Sequence, residues 1–285
     1  MKKLFRKKEQ ELRHIADMLL VNGTLVDCPG LLHGKVGVAV FFCHYAKQTK
    51  NGLFIDYTID LIEVLQEQIH ANYTADYECG IAGIGVGIDF LIRNNFLEAN
   101  EDIFNDFDKR MYRAVMYDPY TDFSMYNGLT GYGRYWLMRY CKHPSSAQAR
   151  QSLLYITRLI EENLTDIPAS ELTDVFLFLY DMHQIHDFNS YSIILEQCRK
   201  VSTTIEQIFP RLGNSLIGRI VRTYQRNYYY GYTSQGEIVA ALRQIPNLDM
   251  EKAPVSMGLL TGYAGKGMLR MSALNQIKNS WMFLL

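Results

Sequence analysis

The sequence predicts an all-α fold, an α/α toroid of about six helical hairpins. Three observations predict it. Glycine-rich turns recur along the chain with a shared spacing; each leads into a segment that is apolar nearly all round; and the segments between them are apolar on one face only. A closed two-layer array accommodates all three, with inner helices covered on several sides and outer helices wetted on one.

In chain order, Leu12, Ile15 and Leu19 recur at helical spacing and predict an outer helix, preceded by the basic residues Lys2, Lys3, Arg6, Lys7 and Lys8, a solvated helix end. Gly30-Leu31-Leu32-His33-Gly34-Lys35-Val36-Gly37 then opens the first inner helix, whose residues 38–43 are all apolar. The next outer helix carries Ile55, Ile59, Ile62, Leu65 and Ile69 on one stripe and Asp56, Asp60, Glu63, Glu67 and His70 on the other. Gly80-Ile81-Ala82-Gly83-Ile84-Gly85 and Gly128-Leu129-Thr130-Gly131-Tyr132-Gly133 open two more inner helices. Half-apolar faces follow at Phe104, Phe107, Met111 and Ala114, at Leu153, Ile156 and Ile160, and at Ile194, Cys198, Val201, Ile205 and Ile208. Gly258-Leu259-Leu260-Thr261-Gly262-Tyr263-Ala264-Gly265 repeats the spacing of the first turn near the other end of the chain.

With Gly34, Gly83 and Gly131 as anchors the repeats are 49 and 48 residues long, and Gly262 lies 131 residues further on. Three units of about 44 residues fill that gap and put degenerate anchors near Asp174 and Gly218, ahead of the apolar stretches 175–180 and 220–224. One domain over residues 1–285 is expected: an outer helix and lead-in loop over 1–28, the hairpins over 29–273 and a tail over 274–285. A Gly costs about 1 kcal/mol relative to Ala inside a helix, so four sets of them imply a geometric need for close approach. Inner helices running in one direction present their unsatisfied N–H groups on one face. The working face is expected there, lined by the lead-in loops with Asp27 and Cys28, Tyr77 and Cys79, Tyr126 and Asn127, Tyr228, Tyr229, Tyr230 and Tyr232, and Ser256 and Met257.

Composition narrows the function. At 48% hydrophobic and 21% charged the chain has the make-up of a globular protein with a large core. Its 29 Lys and Arg against 30 Asp and Glu leave no global field to hold a polyanion, so neither nucleic acid nor membrane is an expected partner. Glu9, Gln10 and Glu11 follow the basic start where a signal peptide needs an apolar run, and five scattered cysteines, Cys28, Cys43, Cys79, Cys141 and Cys198, read as free thiols. A cytoplasmic protein is expected.

The GLLHGKVG, GIAGIG, GLTGYG and GLLTGYAG turns together resemble the repeat motifs of the lanthionine synthetase C-like family, over residues 30–271. The resemblance implies an α/α toroid, and in the family's active members a zinc ion that activates a peptide cysteine for addition to a dehydrated serine or threonine. Those members hold zinc with a Trp-Cys-x-Gly turn and a Cys-His-Gly turn. Here the corresponding segments read Leu172-Thr173-Asp174-Val175-Phe176 and Ser215-Leu216-Ile217-Gly218-Arg219, with neither thiol nor imidazole. No metal or other cofactor is therefore expected. Cys43-His44 does not rebuild a site, because adjacent helical residues face different ways, and Cys141-Lys142-His143, past the far end of the third inner helix, and the pair His183 and His186, near the end of the fourth, could at most trap adventitious metal.

The leading functional expectation is a zinc-free cyclase-like protein that binds or positions a ribosomally made peptide, with the precursor and its modifying enzymes as partners. Catalytic candidates are Cys28, which precedes a helix N-terminus, His33, at a position where family members often carry histidine, and Glu78. Ligand-binding candidates are Tyr77, Tyr126, Asn127, Arg134 and Tyr263, since among 20 tyrosines several flank the turns and a phenol offers apolar area with a polar tip. Two alternatives stand beside it. One is a carbohydrate-active enzyme with paired carboxylates drawn from Asp27, Glu78 and Asp118. The other is metal-free thiol chemistry at Cys28 or Cys79 with His33 or Tyr77 as proton-transfer partner.

Overall fold

The computed structural model describes residues 2–98, 103–191, 194–199, 215–231, 256–274 and 276–285. Among them every regular element is helical: α1 (Lys2–Asn22), α2 (Lys35–Thr49), α3 (Leu53–Gln68), α4 (Ile81–Arg93), α5 (Asn105–Met116), α6 (Leu129–Lys142), α7 (Ala147–Asn163), α8 (Ala169–His183), α9 (Leu216–Tyr230) and α10 (Tyr263–Ala273), with short 3-10 turns at Gly23–Leu25, His186–Tyr191 and Asn279–Leu284. None of these helices is long and apolar enough to cross a membrane. Residue contacts cluster into two compact units. Unit 1 comprises Met1–His70, Phe90–Glu98 and Leu212–Leu285, and unit 2 comprises Ala71–Asp89 and Ala99–Arg211.

In unit 1 the helical spacing of Leu12, Ile15 and Leu19 puts all three in the core, and residues 38–43 of α2 are buried on every side. Helix α2 ends where Lys50 adopts a left-handed φ of 54° and its N–H reaches Ala46 O. Helix α3 folds back on it through Phe42 and Phe54 (ring centroids 5.6 Å apart), Phe42 and Tyr57 (5.0 Å), and Tyr45 and Phe54 (4.8 Å). This contact corrects the expected stripe of α3. The buried residues are Thr58, Leu61 and Leu65, while Ile59 is exposed, because the aromatic side chains of α2 seat against the Phe54 side of the helix rather than the isoleucine side.

The chain's last described helix returns to its first two. Helix α10 packs on α1 and α2 where Gly267 meets the ring of Phe41 and the side chain of Ile15, and Arg270, buried to 1% exposure, pairs with Glu11. The C-terminal turn closes over this layer: Trp281 Nε1 donates to Ser272 Oγ (3.0 Å), and buried Gln225 of α9 donates to Met282 O (3.0 Å). These polar groups are thus satisfied where the chain turns.

Unit 2 is built on α5, α6, α7 and α8. Arg139 of α6 forks onto Asp108 of α5, Tyr135 donates to the same carboxylate (2.6 Å), and this charge cancels within a small half-buried network. Leu153, Ile156 and Ile160 are fully buried along α7, as their spacing predicts, and Ser146 caps that helix by accepting from Ala149 N (3.2 Å).

Of the two degenerate anchors, the one near Asp174 is displaced and the one near Gly218 is not. Helix α8 opens at Ala169 after Pro168, so Asp174 lies more than a turn inside it. Helix α9 opens with Ser215 accepting from Gly218 N (3.0 Å), so Gly218 stands in the first turn. Tyr228, Tyr229 and Tyr230 end α9 before the left-handed Gly231 (φ 67°) and do not form a lead-in loop; Tyr232, Val201, Ile205 and Ile208 fall outside the described residues.

Candidate functional site

Among the described residues four helices begin in the same way. In α2, α4, α6 and α10 a glycine, Gly34, Gly80, Gly128 or Gly262, stands just before the first helical residue. The next amide donates to the carbonyl six residues before that glycine: Lys35 N to Cys28 O (3.0 Å), Ile81 N to Thr74 O (2.9 Å), Leu129 N to Asp122 O (3.0 Å) and Tyr263 N to Ser256 O (2.9 Å). The amide after it reaches the carbonyl five before, from Val36 to Pro29 (3.2 Å), from Ala82 to Ala75 (3.3 Å) and from Ala264 to Met257 (3.1 Å). In the third turn the Thr130 hydroxyl makes that link to Phe123 O (2.9 Å). Helix N–H groups left without intrahelical acceptors are therefore answered by the loop that leads in.

This geometry explains the glycines and corrects their register. A Cβ on any of the four would collide with the carbonyl six residues back, and one on Gly37, Gly131 or Gly265 would strike the carbonyl of Leu31, Met125 or Leu259. The equivalent residues are thus Gly34, Gly80, Gly128 and Gly262, spaced by 46, 48 and 134 residues, with Gly83 and Gly131 one helical step later. Anchoring on Gly34 together with Gly83 and Gly131 mixes two roles, because Gly34 stands before its helix while Gly83 and Gly131 stand within the first turn of theirs.

The turns clasp in pairs. In unit 1, Leu260 N donates to Leu32 O (2.9 Å) and Gly258 rests on the backbone of His33. In unit 2, Tyr77 N and Glu78 N both donate to Tyr126 O (2.8 and 3.1 Å). Leu260, Leu32, Glu78 and Tyr126 all stand two residues before their cap glycines, so the last turn meets the first as the second meets the third.

The candidate residues distribute accordingly. Cys28, His33 and Tyr263 gather at the unit 1 clasp, and Tyr77, Glu78, Tyr126 and Asn127 at the unit 2 clasp. Tyr77 and Tyr263 are buried, His33, Glu78 and Tyr126 are half-buried, and Asn127 is exposed. Arg134 lies within α6, its Nη2 4.0 Å from Asp181 of α8. Cys28 helps to hold its own loop, since its Sγ accepts from Gly30 N (3.3 Å), as Asp122 Oδ1 in the third turn accepts from Ser124 N (2.9 Å). Beside it, burial holds the Lys35 ammonium below its ordinary pKa, countered by Asp27 and Cys28, while its Nζ donates to Val26 O and to Gln68 Oε1 (2.9 Å).

Two carboxylates of α8 complete the third turn. Glu171 accepts from Phe123 N and Asp174 from Met125 N, each at 2.9 Å, and burial raises the Glu171 pKa. Asp174 is a hydrogen-bond acceptor for a loop, and its spacing of three from Glu171 puts both carboxylates on one face of α8. Asp118 is held by Arg110 (2.9 Å) and Arg113 (3.8 Å). Where zinc ligands are implied by the resemblance, Asp174 is occupied by Met125 N and Gly218 has no side-chain donor, so the residues present do not fit the metal. Among the described residues no three His, Cys, Asp or Glu side chains converge as a metal site. Burial drives the Cys43 thiol up to about 12 and His44 down to about 4, the latter with help from Lys47. Neither is poised for chemistry at neutral pH. Compared with known families and with curated proteins, the chain matches no family model and no curated protein.

Proposed function

We propose that this chain is a lanthionine synthetase C-like protein without zinc chemistry, a ring of helical hairpins that binds or positions a ribosomally made peptide while other enzymes modify it. The observation that carries the reading is the fourfold turn: one hydrogen-bond register opens α2, α4, α6 and α10, and the last turn meets the first with the same two-before-cap pairing as the second and third. Such equivalence between the ends of a chain is what closure of a repeat array requires. In unit 2, Glu78, Tyr126 and Asn127, half-buried or exposed on clasped loops, offer a peptide polar and aromatic contacts, and in unit 1 half-buried His33 offers its own. The lack of thiol and imidazole at the positions that the resemblance matches to zinc ligands argues for binding rather than cyclisation. In this reading the partners are the precursor peptide and its modifying enzymes, and the cytoplasm is the compartment.

The test uses a fluorescein-labelled peptide that contains cysteine and dehydroalanine, and its serine-containing parent. The expected result is saturable binding, substoichiometric zinc in the purified chain, and no acceleration of thioether formation, followed as loss of free thiol at constant mass, even with zinc added. Absence of binding to both peptides removes the peptide reading, and accelerated ring closure removes the zinc-free one.

A further inference from the structure

The 3-10 turn after α1 is pinned to α3 at both ends. Tyr57 Oη donates to Leu19 O (3.2 Å) and also bonds the backbone of Thr24, and Gln68 Nε2 donates to Asp27 O (3.2 Å). Between these pins the chain turns apolar side chains outward: Val21 is 70% and Leu25 74% exposed, and Val64, on the flank of α3 that carries Tyr57, is 37% exposed. The same flank bears Asp60, Glu63 and Glu67, all exposed and drawn into no ion pair among the described residues. Isolated surface leucines are ordinary, but an apolar strip held rigid beside a row of like charges is the make-up of a recognition surface. Each of the three carboxylates gains little from its neighbours and repels the others, a cost that a partner of opposite charge relieves.

We propose that this surface of unit 1 docks a basic amphipathic helix of a partner protein, with its apolar side over Val21, Leu25 and Val64 and its Lys or Arg side along Asp60, Glu63 and Glu67. The charge selects the occupant: the acidic row repels nucleic acid and anionic lipid and attracts a cationic helix. The inference does not rest on peptide binding at the glycine turns, and the two fail separately, because the residues tested differ.

The probe is a labelled helical peptide of about 18 residues with lysines on one side and leucines on the other, set against a twin in which glutamate replaces every lysine. Anisotropy is expected to report binding of the lysine peptide alone, weakening at least tenfold between about 0.05 and 0.5 M salt. The double variants Glu63→Lys with Glu67→Lys, and Val21→Ser with Leu25→Ser, are each expected to weaken it at least tenfold while circular dichroism stays unchanged. Equal binding of the twin, or variants that bind like the parent, overturns the proposal. So does ultracentrifugation that finds a dimer abolished by the serine variant, which would make the strip a contact between two copies.

Discussion

Helices α2 and α8 are both buried along most of their length, yet they are joined to neighbouring loops by opposite means. Helix α2 is opened by backbone alone: Gly34 lets the Cys28 carbonyl come so near that no side chain fits, and the polar groups further along, Cys43 and His44, are kept uncharged by burial. Helix α8 has neither a cap glycine nor a side-chain cap at its start and meets the loop before α6 through side chains, with Glu171 and Asp174 accepting from amides of that loop. A main-chain acceptor has to approach closely and so demands glycine, whereas a carboxylate reaches across the gap and leaves backbone spacing ordinary.

The largest effect expected from this contrast is at the cap glycines. Gly34→Ala should cost about 3 kcal/mol in urea unfolding, because the atom it meets is backbone and cannot rotate away. A loss under about 1 kcal/mol would mean that the turn relaxes freely, and the distinction between the two helices would dissolve.

Acid should separate the helices nearly as strongly. His44 stays neutral in the fold down to about pH 4, whereas an unfolded histidine takes its proton near 6.5. Its pKa is depressed on folding, so stability is full above the unfolded value and falls as the unfolded state binds a proton that the native state refuses, by about 3 kcal/mol between pH 6.5 and 4. His44→Leu should flatten the stability profile over that interval; an unchanged slope would assign the acid sensitivity elsewhere. Glu171 acts in the other sense, since burial raises its pKa: the stability tied to its protonated form is present at low pH and lost as pH rises through that raised value.

Removing an α8 carboxylate should come next. Asp174→Ala leaves the buried Met125 amide without its acceptor and is expected to cost about 2 kcal/mol, against about 1 kcal/mol for Glu171→Ala at its wetter position. Hydrogen exchange at Met125 should speed up in the first variant and not in the second. The smallest effect is a control. Gly52 has open space around it and helical φ and ψ of −62° and −27°, so Gly52→Ala should stabilise by about 0.5 kcal/mol, marking the glycines that are structural by their difference from one that is not.

Much of this was legible in the residues. The spacing of Leu153, Ile156 and Ile160 predicted their burial, the unbroken apolar run at 38–43 predicted a helix enclosed on all sides, and repeated glycines predicted crowded turns. The register of those turns was not legible, because Gly80 and Gly83 are both glycine and only the surroundings of each tell them apart. Nor was the buried side of α3: its isoleucines and its aromatics make two apolar stripes of similar strength, and the rings of Phe42 and Tyr45 decided between them. The candidate residues were found turn by turn, but their grouping into two clasps came from hydrogen bonds between segments distant in sequence.

By itself the sequence determined what is local: which segments are helical, and that repeated glycines mark crowded turns. Tertiary structure alone decided what depends on partners: that Cys28 serves as a loop acceptor, that Asp174 binds an amide instead of marking a turn, and that the last glycine turn meets the first. Helical propensity and steric need are written in neighbouring residues, whereas the identity of a hydrogen-bond partner is fixed only when remote backbones arrive within about 3 Å of each other.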